Sequence, residues 1–99
     1  MNTRIQFEVG TSKTDTEVFH LILDDDEVVA SVDGAAEAPD FVMILAPEAF
    51  AEVVGGELGL DVGYMQGRVK VTGNVGRMLS VLPVLTSAEL LTELSAHAP

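Results

Sequence analysis

The sequence predicts an α+β domain, with strand-like segments filling the first half of the chain and helical ones most of the second. Three observations carry that prediction. Ile5, Phe7 and Val9 alternate with Arg4, Gln6 and Glu8, the period of a half-buried strand. β-Branched and aromatic runs follow, cut by acidic or glycine turns. After Pro47 the apolar residues change period and recur at helical spacing. Strands grouped before helices, not alternating strictly with them, fit the α+β class. The 99 residues read as a single domain, 1–99.

The elements follow in order. Thr11 to Asp15 is a polar turn after the first strand. Val18 to Leu23 forms the second, with Phe19, Leu21 and Leu23 on one face, and Asp24-Asp25-Asp26 ends it. Val28 to Val32 is the third, closed by Asp33-Gly34, so these three make an antiparallel meander. A loop, Gly34 to Asp40, leads to a fourth strand, Phe41 to Leu45, whose apolar residues on both sides predict cover on both faces. Pro47 suits a helix start, Glu48 and Glu52 suit its first turns, and Gly55-Gly56 stops it. Gly59 to Gly67 is punctuated by glycine and has no assigned element. Arg68 to Thr72 is the fifth strand, with Val69 and Val71 facing inward. A helix then carries Val75, Met78, Leu79 and Leu82 until Pro83 ends or kinks it. Ser87 caps a last helix holding Leu90, Leu91 and Leu94.

Charge narrows the function. Sixteen acids face five bases, for a net charge of −11, and nucleic-acid phosphates repel such a surface. Anionic membranes are disfavoured for the same reason. The Met78 to Ala88 run is the longest uncharged stretch and falls far short of the ~20 residues of a spanning helix, so no stable membrane insertion is expected. Met1 to Gly10 does not look like a signal peptide, and the absence of cysteine fits a reducing compartment, so a cytoplasmic location is expected. The hydrophobic fraction is 47% and the mean hydropathy +0.33, a surplus for so small a domain. That surplus belongs in a cavity, an interface or an exposed patch.

Catalytic chemistry finds little support. His20 lies mid-strand, read as partly exposed, and His97 lies in the tail. Neither has metal ligands at suitable spacing. The run Asp24 to Glu27 fails the EF-hand pattern, because Val28 and Ala35 occupy ligand positions. The seven glycines from Gly55 to Gly76 include no Gly-Lys-Ser or Gly-Lys-Thr, so turns and close packing explain them better than phosphate binding. Arg68, Lys70 and Arg77 cluster within ten residues, and the simplest account is the solvent side of an edge strand. No enzyme activity, metal or cofactor is expected.

Two segments resemble the sterol carrier protein family. One is Ala38-Pro39-Asp40-Phe41-Val42-Met43-Ile44-Leu45 with Pro47-Glu48-Ala49-Phe50. The other, more specific, is Gly63-Tyr64-Met65-Gln66-Gly67-Arg68-Val69-Lys70-Val71-Thr72-Gly73-Asn74, followed by Met78 and Leu82. The resemblance implies a five-stranded, mainly antiparallel sheet with helices packed on one face, enclosing an apolar cavity for sterols, fatty acyl chains or similar lipids. It implies a non-catalytic lipid binding or transfer module, with a lipid or other apolar small molecule as partner. The residues assigned to the cavity are Phe7, Phe19, Leu21, Ile44, Phe50, Val54, Leu60, Met65, Val69, Val71, Met78 and Leu82. Each suits a solid core equally well, and the resemblance assigns the set to a cavity. The alternative is a dimerising or enzyme-docking module that presents a hydrophobic groove.

The family usually carries a helix before its first strand, and this chain starts at the strand. Uncovered apolar area on the sheet then predicts a homodimer, unless the C-terminal helix Ser87 to Ala96 takes the vacant place.

Overall fold

Five strands form one mixed sheet in the computed structural model, which describes residues 2–10, 15–25 and 27–97. They are β1 (Asn2–Gly10), β2 (Thr16–Asp24), β3 (Glu27–Asp33), β4 (Phe41–Leu45) and β5 (Val69–Gly73). The order across the sheet is β3-β2-β1-β4-β5. Three pairings are antiparallel, and only β1 with β4 is parallel. Most of the polar turn expected at Thr11 to Asp15, and Asp26 of the acidic turn, lie outside the described residues.

Alternation along the strands decides where the helices sit. Ile5, Phe7 and Val9 register with Leu21, Phe19 and Glu17 on one side and with Phe41, Met43 and Leu45 on the other. All of these but Glu17 are buried. Against this face pack α1 (Pro47–Val54), α2 (Leu60–Met65), α3 (Val75–Ser80), α4 (Leu82–Leu85) and α5 (Ala88–Ser95). Pro47 opens α1 as expected, and Ser87 Oγ accepts the N–H of Leu90 at 3.2 Å to cap α5. α5 buries Leu90 and Leu94 and touches α1, α4 and β3, so the C-terminal helix does cover part of the sheet.

Two elements differ from expectation. The glycine-punctuated segment contains the helix α2. Gly63 sits inside it because a Cβ there would lie 2.8 Å from Val69 Cγ2, so the glycine admits close contact with β5 and makes no turn. The helix expected from Val75 to Leu82 is two short helices. Pro83 stands in the first turn of α4, and the break falls at Val81.

The second face of β4 is covered less than expected. Val42 and Ile44 are half-buried, as are Val18 and Ile22 of β2 on the same face. What covers this face is the β3–β4 connection, residues 34–40, which crosses over β2 and β1. Ala36 N donates to Gln6 Oε1 at 3.0 Å, and His20 Nδ1 donates to the Gly34 carbonyl at 2.9 Å. Arg4 and Asp40 are joined twice, by Arg4 N to Asp40 Oδ2 at 2.8 Å and by Asp40 N to the Arg4 carbonyl at 2.9 Å. His20 is therefore buried, at 9% exposure, and not partly exposed as its strand position suggested. The loop above it removes the solvent.

Candidate functional site

The chain has a cavity of about 380 Å³ at one end of the sheet, between the β1–β2 hairpin and α1. That is within the ~300–1,000 Å³ of typical small-ligand sites, near the lower end. Val9 and Phe19 form its sheet wall, and Pro47, Phe50, Ala51 and Val54 its helix wall. Pro47, Ala51 and Val54 recur at intervals of four and three residues, so they occupy one stripe of α1. Gly55 closes the helix end. Asp15, Glu17 and His97 complete the lining at the more polar margin.

Phe19 organises the site. Its ring stacks on Phe7, with centroids 5.1 Å apart, and meets Phe50 edge-on at 6.0 Å. The His97 imidazole also stacks on Phe19, at 3.9 Å and 3° from parallel. His97 is held there by two groups from β3. Ser31 Oγ shares a 2.5 Å hydrogen bond with Nε2, and Asp33 Oδ1 lies 3.4 Å from Nδ1. The His97 side chain is only 13% exposed, while that of Asp33 is 97% exposed. The end of α5 is thus tied to β3 across the cavity margin.

Of the twelve residues assigned from the sequence, the structure brings Phe19, Phe50 and Val54 to this cavity. Phe7 stands behind Phe19, in ring contact with it. Leu21, Leu60, Val69 and Met78 are buried in the solid core, and Val71 and Leu82 pack partly buried against it. Ile44 points to the opposite sheet face, beside Glu8 in the register. Met65 is 76% exposed at the end of α2 and is not among the residues that line this cavity. Sequence reasoning missed Val9, Pro47 and Ala51, for which the α1 spacing was an available signal. It also missed Asp15, Glu17 and His97, which converge from distant parts of the chain.

None of the clustered bases, Arg68, Lys70 and Arg77, lines the cavity. Arg68 makes an ion pair with Glu52 of α1 through its two terminal guanidinium nitrogens, Nη1 and Nη2. That contact holds the Glu52 carboxyl below its ordinary range and raises the Arg68 value. Among the described residues no group of three or more His, Cys, Asp or Glu can hold a metal ion, and no helix is long and apolar enough to cross a membrane.

Comparison with known structures finds the same fold repeatedly. Sterol carrier protein 2 from Yarrowia lipolytica, in its apo form, is 24% identical with a TM-score of 0.62, covering 87% of this chain and 68% of the other. Palmitated SCP2L2 from Aedes aegypti is 17% identical with a TM-score of 0.68, covering 88% and 75%. The stereoselective inverting sec-alkylsulfatase Pisa1 from a Pseudomonas species matches at 17% identity and a TM-score of 0.54, over 85% of this chain but only 13% of the enzyme. No curated protein matches the sequence. The model of the SCP-2 sterol transfer family matches residues 1–86, nearly the whole chain and both segments that carry the resemblance, and the chain therefore belongs to that family.

Proposed function

We propose that this chain is a non-catalytic lipid-binding module that holds one apolar or amphipathic chain in the cavity between β2 and α1. The observation that carries this reading is an apolar cavity walled by Phe19, Phe50 and Val54 in a member of a sterol transfer family. Each CH₂ moved from water into such a cavity contributes about 0.8 kcal/mol, so a single alkyl chain reaches micromolar affinity without a charged contact. The palmitated mosquito relative supports an acyl chain as one class of guest. Native mass spectrometry of freshly purified protein, with titration of a fluorescent fatty acid and a fluorescent sterol, tests the reading. Saturable binding of either supports it. The absence of both removes it.

A second reading is an interaction module that dimerises or docks on an enzyme. It draws on the half-buried apolar residues Val18, Ile22, Val42 and Ile44 on the sheet face away from the helices. It also draws on the occurrence of this fold within an alkylsulfatase. An empty, tight dimer would favour this reading, and a monomer with co-purified lipid the first.

A further inference from the structure

We infer that the cavity selects amphiphiles with a cationic polar end, taking an alkylammonium in preference to a carboxylate of equal chain length. The inference rests on the lipid-binding reading and specifies its ligand class. Its basis is the sign of the charge at the cavity margin. Asp15 and Glu17 both line the cavity and are both exposed, so their carboxylates stand where a guest's head group meets water. Asp33 adds a third carboxylate, against His97. His97 is the only described lining residue able to bear positive charge, and Asp33 lies beside it when it does.

Among the described residues, none of the remaining bases lines the cavity to oppose these carboxylates. Arg68 is engaged with Glu52. Arg4 and Lys70 register with Ile22 and Ile44 on the sheet face away from the helices. Arg77 belongs to α3 and does not line the cavity. The fifth base, Lys13, lies outside the described residues. The C-terminal end of α1, at Val54 and Gly55, also faces the cavity with no basic residue in its last turn, and a helix C-terminus carries partial negative charge. The net charge of −11 steers cations inward and anions away.

An acyl tail and a polar end therefore meet separate demands. The Phe19 and Phe50 walls accept any alkyl chain, and the carboxylates at the margin discriminate between head groups. The test is competitive displacement of a neutral environment-sensitive dye by dodecyltrimethylammonium, dodecanoate and dodecanol, each below its micelle concentration. At low salt the ammonium should bind about tenfold more tightly than dodecanoate, the scale of one or two exposed ion pairs replaced by like-charge contacts. The ratio should shrink as salt rises. In an Asp15→Asn/Glu17→Gln double variant, shown folded by circular dichroism, the ratio should fall several-fold toward one at low salt. Should the double variant not fold, Glu17→Gln alone and the salt series of the unaltered protein carry the same test. Dodecanoate binding as tightly as the ammonium, or a ratio untouched by the substitutions, would overturn the inference while leaving the lipid cavity in place. If dodecanol also fails to bind, the cavity reading itself falls.

Discussion

Val54 and Met65 were assigned the same role on sequence grounds, and the structure separates them. Val54 is half-buried on the cavity wall, whereas Met65 projects from the end of α2. Val54→Asp should therefore lower lipid affinity at least about tenfold, because an unpaired charge resists desolvation by an alkyl chain. Met65→Asp should leave affinity unchanged and stability within about 0.5 kcal/mol, as exposed substitutions generally do. Dye titration and urea unfolding of both variants check this, and equal loss of binding in the two would contradict the placement of the cavity. The difference was hidden in the sequence because a methionine at a helix end has the same hydrophobicity whether it faces in or out. His97 shows the converse limit. Nothing local marks it, and its role at the margin comes from Phe19, Ser31 and Asp33, all more than sixty positions away in the chain.

At the scale of elements, the strands were legible and the short helices were not. Period-two alternation specifies which face of a strand is buried, since a slip of one residue would expose the whole set. β1, β2, β4 and β5 obey it. α2 escaped because glycine normally opposes helix, and here Gly63 is tolerated for its contact with Val69. The junction of β5 with α3 relies on glycine in another way. Gly73 has φ +97°, and a Cβ there would lie 2.9 Å from the Asp40 carbonyl oxygen. Asn74 then donates its N–H to that same carbonyl at 2.8 Å, and its Oδ1 accepts from Arg77 N at 3.0 Å to start α3. Gly73→Ala should cost at least about 2 kcal/mol in urea unfolding through the strained φ and the clash together.

The tie between α1 and the start of β5 should be visible in a titration. The hydrogen bond from Arg68 lowers the Glu52 pKa from 4.5 in the folded state. A depressed folded value stabilises above the unfolded pKa, and that contribution disappears as pH falls through the folded one. Both groups are exposed, so the effect on stability is small. In Arg68→Gln, the Glu52 carboxyl followed by NMR should titrate higher, back in the usual glutamate range. An unchanged titration would show that the ion pair does not persist in solution.

The whole molecule carries its charge and its apolar surface on different terms. Eleven net negative charges repel one another in the folded state, and salt screens them over about 10 Å at 0.1 M. Thermal unfolding should accordingly shift upward as sodium chloride is added, and a flat or falling melting temperature would argue against self-repulsion. The same screening would tighten any homodimer formed through the face bearing Val18, Ile22, Val42 and Ile44. Sedimentation equilibrium at low and high salt reads that directly. A strict monomer at both would show that the 34–40 loop and α5 cover the sheet by themselves.

The parallel pairing of β1 with β4 has a consequence for the order in which the chain is made. β1 to β3 are synthesised first and can pair by local hairpins, but β1 occupies the middle of the finished sheet. Its other edge has no partner until residues 41–45 leave the ribosome, and the helices that cover Ile5, Phe7 and Leu21 come later still. In that interval the nascent chain presents a bare strand edge and an apolar face, the two features that favour aggregation. Closing the sheet then waits on a non-local contact, the slow kind. Substitutions that weaken β4 should therefore appear first as insoluble protein during expression, before any loss of affinity can be measured.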